Sequence, residues 1–359
     1  MSSGTTGMTF NQFEMLAESR RLEVPVATAW LLAELGESRG RQEPFVRQAP
    51  QRLKALREFA VIESAIASNR IEGVEIAPER RDAVLSGRGR LTDRDETEVR
   101  GYRDALRLIH QAPSELPVSE DTIRRLHRLV RAGSGDAGAY KQQDSDIIER
   151  HPDGRSRVRF RTVPAANTSS AMRSLVGAAE RCRDGRWVPP LVTAAAFNLD
   201  FLCVHPFRDG NGRVSRLLLL LQAYQAGYEV GRYISLERVI EENKERYYET
   251  LEQSSASWHD GRHDPWPYVN FLLFVIRTAC AEFERRVGET GEPRGSKTAA
   301  VINAIARLPG EFKAADVLRA CPAVSLDMVR RVLKDEQRRG RVECLGRGPG
   351  ARWRKAGRA

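Results

Sequence analysis

Residues 205–216 read HPFRDGNGRVSR, and the reading of this stretch decides the fold. Two glycines are poor helix material, and buried charges are costly, so folding alone does not ask for a histidine, an acid, an asparagine and two arginines within twelve positions. The flanks are different. PLVTAAAFNLDFLCV at 190–204 and RLLLLLQAYQAG at 216–227 are apolar nearly all round, which places both in the middle of a helical bundle. The stretch is the joint between two buried helices, and its composition needs a chemical explanation.

A Gly-Asn-Gly turn that opens a helix presents backbone N–H groups with little side-chain obstruction, and the helix N-terminus favours negative charge. Gly210, Asn211 and Gly212 thus form an anion seat. Arg213 and Arg216 stand three apart on one face of the following helix, placed to reach oxygens of an extended phosphate chain. Asp209, just before the turn, suits a magnesium ion that bridges those phosphates. His205 is the one side chain of the joint suited to accept a proton near neutral pH. Other nucleotide motifs do not fit: there is no G-x-x-x-x-G-K-[ST], and the G-x-G lacks a third glycine and a preceding strand.

Working outward, most of the chain reads as helix. Val99, Tyr102, Leu106 and Ile109 recur at three and four residues, with Thr92 or Asp93 as cap. Ile123, Leu126 and Val130 repeat the pattern, as do Met172, Leu175, Ala179 and Cys182, where Asn167 or Thr168 would open the helix. Between Gly138 and Pro164 the helical period fails, and GRSRVRFRTVP alternates as a short exposed hairpin does. VGETGEPRGS at 287–296 has linker composition. The expected fold is all-α with a short β-hairpin: an N-terminal helical region over 1–95, a core over 96–286, the linker, and a separate module over 297–359.

Composition bounds the rest. The chain has 359 residues and 41% hydrophobic content, enough for real cores. Its longest apolar runs, such as FLLFVI at 271–276, are far shorter than the roughly 18 residues of a membrane span, so no membrane role is expected. Arg20-Arg21 precedes a mildly apolar stretch, but Glu23 and Pro25 interrupt it, and an amphipathic helix is the preferred reading. Cys182, Cys203, Cys280, Cys321 and Cys344 are scattered without a C-x-x-C, which suits buried thiols in the cytoplasm. Of 58 Lys/Arg and 48 Asp/Glu, 16 and 6 fall from Arg294 onward, leaving 42 of each before it. The whole net charge of +10 belongs to the terminal segment, where an anionic partner such as nucleic acid would be sought.

The joint resembles the signature of the Fic family, H-x-F-x-[DE]-G-N-G-R-x-x-R, with every fixed position matched. The resemblance extends more loosely from about residue 50 to about 285 and implies a Fic-type helical bundle. It implies transfer of AMP from ATP, with Mg²⁺, to a Tyr, Ser or Thr hydroxyl of a target protein or of the chain itself. By that likeness His205 deprotonates the hydroxyl and Asp209 holds Mg²⁺. Gly210, Asn211 and Gly212 cradle the α- and β-phosphates, Arg213 contacts the β-phosphate and Arg216 the γ-phosphate, and Phe207 anchors the loop. Arg157, Val158, Arg159, Phe160, Arg161, Thr162, Val163 and Pro164 correspond to the family's target-docking flap.

Upstream, SNRIEG at 68–73 places Ser68 and Glu72 four apart, and it resembles the family's inhibitory motif [ST]-x-x-x-E-[GN], completed here by Gly73. The likeness implies a brake in which Glu72 pairs with Arg216; in some relatives this glutamate also helps remove AMP. EENKERYYETLEQSS at 241–255 resembles the adenine pocket, with Tyr247 and Tyr248 as candidates. Ser255 stands where relatives often carry asparagine, which keeps UTP and GTP, and so UMP transfer, open. His259 and His263 have metal-like spacing, but Asp260-Gly261 argues for a loop, and His110, His127 and His151 read as surface or loop histidines.

The terminal segment holds three short helical patterns followed by a Gly-rich hairpin, the order of a winged helix, with Ser325 as cap of the third helix and Gly348–Gly350 at the wing tip. Arg330, Arg331, Lys334, Arg338 and Arg339 make DNA a candidate partner. The alternatives are a module for dimerisation or docking and, for the whole chain, a DNA-binding regulator whose Fic site senses nucleotide.

Overall fold

A computed structural model describes residues 23–356 apart from 49, 88, 151–154, 187, 289–295, 309, 323, 347 and 349. The opening MSSGTTGM, Arg20-Arg21, most of the linker and His151 lie outside these residues.

The joint sits where its flanks require. Helices α7 (Pro190–Val204) and α8 (Asn211–Gln225) are buried along almost their whole lengths. Phe197, Phe201, Leu217, Leu218 and Leu221 have no exposed surface. Asn198, inside α7, donates to the Ser215 carbonyl at 2.6 Å and accepts from the Tyr268 hydroxyl at 2.8 Å, so both ends of this buried amide are engaged.

Around this pair are packed α1 (Val26–Gln48), α2 (Pro50–Ile71), α3 (Arg81–Ser86), α4 (Arg94–Gln111), α5 (Glu120–Val130) and α6 (Ala165–Gly185), then α9 (Leu236–Glu242), α10 (Lys244–Ser255) and α11 (Trp266–Gly288). Asp93 caps α4 by accepting from the Glu96 amide at 2.8 Å, and Ser119 caps α5 from Thr122 at 3.2 Å. Helix α6 departs from the expectation. It starts at Ala165, so Asn167 and Thr168 lie inside its first turn, and the Ala165 amide donates at 2.6 Å to the side chain of Asp144.

The expected hairpin is β1 (Ile147–Arg150) paired antiparallel with β2 (Ser156–Phe160). Ile148 lies opposite Val158, and both are exposed. Arg157 pairs with Glu252 at 2.9 Å, Arg159 donates to the Tyr248 carbonyl at 2.6 Å, and the His259 ring stacks on Phe160, with centroids 5.5 Å apart. These contacts lay the hairpin against α10. Thr162 and Val163, past β2, are buried and form its root rather than its exposed edge.

The terminal segment folds as α12 (Ser296–Arg307), β3 (Glu311–Lys313), α13 (Ala314–Ala320), α14 (Leu326–Arg338), β4 (Val342–Cys344) and β5 (Arg352–Lys355), with an antiparallel sheet in the order β3-β5-β4. Val301, Phe312, Val317, Val329, Leu333 and Trp353 form its own apolar cluster, against which Phe59 of α2 packs. Ser325 caps α14 by accepting from Met328 at 3.2 Å. No helix among the described residues is long and apolar enough to cross a membrane.

Burial overturns the surface reading of His127, and His110 is half-buried. His127 is 1% exposed and stacks flat on Phe207 with 3.7 Å between ring centroids. His110 meets the Tyr224 hydroxyl at 3.0 Å. The periodicity of α4 and α5 marks their apolar faces but does not show that a histidine at the margin of each turns inward. Burial lowers His110 to about 3 and His263 to about 4, whereas an unfolded histidine takes up a proton near 6.5. Below that pH the unfolded chain binds more protons, so stability falls as pH falls towards the folded values. Each of the two is expected to cost up to about 1.4 kcal/mol per pH unit there. Thermal melts between pH 7 and 5 check this, and an unchanged midpoint would contradict it.

Candidate active site

The site forms where α7 stops. His205 takes a left-handed conformation (φ 51°, ψ 60°), and its N–H still donates to the Phe201 carbonyl at 2.9 Å. Phe207, fully buried beside Phe201 and His127, fixes the loop in the core. Asn211 closes it: the Phe207 amide donates to Oδ1 at 2.9 Å, and Nδ2 donates back to the Phe207 carbonyl at 2.7 Å. The side chain of Asn211 is therefore a loop staple, and what it offers a ligand is its backbone. Gly210, at φ 83°, turns the chain into α8 beside Arg131 and His127. The N–H groups of Asn211, Gly212 and Arg213 precede that of Val214, the first to find an intrahelical acceptor in the Gly210 carbonyl at 3.0 Å, and they point out of the helix start.

His205 Nδ1 lies 3.3 Å from the Leu202 carbonyl, which favours the Nδ1–H tautomer and leaves Nε2 as an acceptor. Burial first, and then the Lys141 ammonium, lower this imidazole to about 4. At neutral pH it is an unprotonated base.

Asp209 is half-exposed and faces three guanidinium groups: Arg131 at 2.9 Å, Arg94 at 3.0 Å and Arg213 at 3.5 Å. Burial pushes its carboxyl up, but Arg131 and Arg213 outweigh this and hold it below the usual range. Among the described residues no group of three His, Cys, Asp or Glu side chains could cage a metal ion. Magnesium does not need one, because it takes one or two carboxylates and completes its shell with phosphate oxygens and water. By donor chemistry Asp209 fits that ion.

The two arginines of the signature are both buried, each among different partners. Arg213 pairs with Glu98 and donates to Asn69 Oδ1 at 3.2 Å. Glu98, 3% exposed, also takes Arg131 and, at 2.7 Å, Arg94. Its burial pushes the carboxyl up, and the hydrogen bonds from Arg213 and Arg94 more than reverse that. Glu98→Ala would leave Arg213 and Arg131 facing a buried gap, a loss expected to cost about 3–5 kcal/mol. Urea melts measure it, and a cost below 1 kcal/mol would show that Asp209 and Asn69 suffice.

Arg216 is held by the end of α2. Its Nε donates to Ser68 Oγ at 2.8 Å, and its Nη2 donates to the Ser68 carbonyl at 2.9 Å and to Glu72 Oε1 at 2.8 Å. The guanidinium thus meets the negative end of the α2 dipole as well as a carboxylate. Glu72 does not share a helix face with Ser68 as its spacing suggests. It lies just past the last residue of α2, where Gly73 at φ 78° turns the chain and the Val74 amide bonds the Asn69 carbonyl at 2.9 Å. Arg216 Nη1 is buried with no hydrogen-bond partner. A Cβ on Gly212 would lie 2.3 Å from Glu72 Oε1 and 3.3 Å from Arg216 Nη1. Only glycine leaves room there for an acceptor over the helix start, and in this structure the acceptor is Glu72.

Of the two tyrosines, Tyr247 is 2% exposed and packs against Tyr268 and Phe271. Tyr248 alone presents surface, under the guanidinium of Arg159 at 5.4 Å. Ser255 bonds the Glu252 carbonyl at 3.2 Å. His259 meets the Arg161 carbonyl at 2.7 Å, and His263 is buried. Arg330, Arg331, Lys334, Arg338 and Arg339 are exposed on α14 and just after it, but Arg330 sits 3.6 Å from Asp327, Arg338 3.2 Å from Asp335 and Arg339 3.1 Å from Glu336. Sequence reasoning missed Asn69, Glu98, His127, Arg131 and Lys141. The trace of Asn69, Glu98 and His127 is a polar residue inside an apolar helical period, which marks a buried position without naming its partner; Arg131, just past α5, and Lys141, in the stretch before β1, lie outside any such period.

Residues 117–223, which take in the joint, α7 and most of α8, match the Fic/DOC family model. The fold is similar to that of a Fic family protein from Desulfovibrio desulfuricans, with 26% identity over 94% of this chain and 98% of the other and a TM-score of 0.60. A Fic domain containing signaling protein from Bacteroides thetaiotaomicron shares the fold at 23% identity over 70% of this chain and 94% of its own, with a TM-score of 0.57. Fic-1 from C. elegans does so at 21% identity over 73% of each chain, with a TM-score of 0.56.

Proposed function

We propose that the joint transfers AMP from ATP to a Tyr, Ser or Thr hydroxyl of a target protein, and that Glu72 restrains it. The Fic family is known for transferring nucleotide monophosphate to proteins, and the match over 117–223 supports that reaction class. The observation that carries the finer reading is the buried, unpartnered Nη1 of Arg216 beside an open helix start, with Glu72 on the neighbouring Nη2.

The triphosphate lies along the N–H groups of Asn211, Gly212 and Arg213. Arg213 and Arg216 draw its outer oxygens, and Tyr248 borders the base. His205 Nε2 takes the proton of the incoming hydroxyl as its oxygen bonds the α-phosphorus; the bond from that phosphorus to the bridging oxygen breaks, and pyrophosphate leaves. When bound at Asp209, magnesium supplies neutralisation of the phosphate charge. The exposed hairpin β1–β2 offers its edge to the target backbone.

Incubating wild type, Glu72→Gly and Glu72→Gly/His205→Ala with magnesium and ATP labelled at the α-phosphorus tests this reading. Label on protein in Glu72→Gly alone supports it. Label from UTP or GTP instead would move the proposal to another nucleotide, and no label from any of them would end it.

We also propose that α12 to β5 form a winged helix, on the order of its three helices and antiparallel sheet. DNA contact would run through Arg331 and Lys334, since the neighbouring arginines are engaged by acids of their own helix. Duplex binding that weakens steeply with salt is the expected result.

A further inference from the structure

Lys141 belongs to no motif of the sequence, yet it grips the chain on both sides of His205. Its side chain is buried, with the residue 5% exposed. The backbone N–H donates to the Pro206 carbonyl at 2.9 Å, and Nζ donates to the Val204 carbonyl at 3.3 Å and to Thr162 Oγ1 at 2.6 Å. The Thr162 hydroxyl in turn donates to the Ser145 carbonyl at 2.7 Å. One ammonium thus joins the loop that carries the base to both ends of the hairpin. A buried ammonium is costly to keep, and its hydrogen-bond partners here are neutral oxygens, with Asp144 and Asp146 the carboxylates that favour its charge. Packing alone would be served by an uncharged side chain.

We propose that Lys141 is a positioning residue that holds His205 for proton abstraction and ties the root of the flap to the same loop. This rests on the transfer reaction proposed above. His205 faces three charged groups: Lys141, which disfavours its protonation, and Glu72 and Asp209, which favour it. Burial lowers Lys141 itself to about 8, so at neutral pH it remains mostly charged. An induced fit of the target under the flap would then be felt at the base through a single side chain.

The test is a pH–rate profile of label transfer in the Glu72→Gly background. Lys141→Met is expected to slow transfer roughly 10²-fold, the cost of a small misplacement of a reacting group, and to move the acid limb up from about 4 towards the ordinary imidazole value of about 6.5. Lys141→Arg, which keeps charge and donors, restores most of the rate and the original limb. Thr162→Val leaves the limb where it is and raises KM for the protein target. An acid limb unmoved in Lys141→Met would overturn the proposal, as would a rate unchanged in that variant. If the Glu72→Gly parent transfers no label, the transfer reading fails by itself, and titration of the His205 ring by NMR in Lys141→Met and Lys141→Gln decides the charge coupling separately: an upward move supports it, no move overturns it.

Discussion

Glu72→Gly is expected to raise label transfer to protein by roughly 5–150-fold, the range of a coupling free energy of about 1–3 kcal/mol. The reason is competition for one guanidinium. In the structure Glu72 Oε1 lies 2.8 Å from Arg216 Nη2 and occupies the space above Gly212. A triphosphate seated at the α8 N-terminus needs that guanidinium and that space, and it would meet a carboxylate of its own sign there. Removing the side chain leaves Ser68 on Arg216 Nε, so the arginine keeps its orientation and gains a free face. The substitution is well placed to leave the fold intact, because Glu72 follows the end of α2 and is partly exposed. The measurement is the initial rate of labelling of a target, or of the chain itself, beside wild type. Equal rates would mean that the ion pair is structural and the brake lies elsewhere.

In that released background, His205→Ala is expected to lower transfer by about 10²–10⁴-fold, the usual cost of losing a positioned base. Nucleotide binding should change little, since the anion seat is built from the backbone of Asn211 to Arg213 and from the two arginines. The backbone complicates the choice of variant. His205 sits at φ 51°, where alanine is strained by about 1–2 kcal/mol. His205→Asn serves as the control, because asparagine tolerates the left-handed region and still lacks a base. Loss of transfer in both variants with retained nucleotide binding places the chemistry on the imidazole. Undiminished transfer in either would sink the mechanism.

The sequence carried a good part of this far. Residues 190–227 show two all-apolar helices around a polar joint, and the structure has α7 and α8 meeting there. Alternation in SRVRF foretold β2, and Asp93 and Ser325, both read as caps, do cap their helices. Such features are local: each depends on neighbours within a few residues, so the chain itself specifies them.

What the tertiary structure alone decided is pairing. Arg213 finds Glu98 and Asn69, and Arg216 finds Ser68 beside the Glu72 that the resemblance had already paired with it; these partners lie more than a hundred residues upstream. Asp144 caps α6 from across the chain, His127 turns in to stack on Phe207, and Lys141 reaches the loop at Val204 and Pro206. A hydrophobic period tells which face of a helix is buried, but not which helix covers it. For apolar side chains that hardly matters, because burial is rewarded whatever the neighbour. For a buried charge it is decisive, since its stability depends on one partner within hydrogen-bond reach, and only the packed arrangement of α2, α4, α5 and α8 brings those partners together.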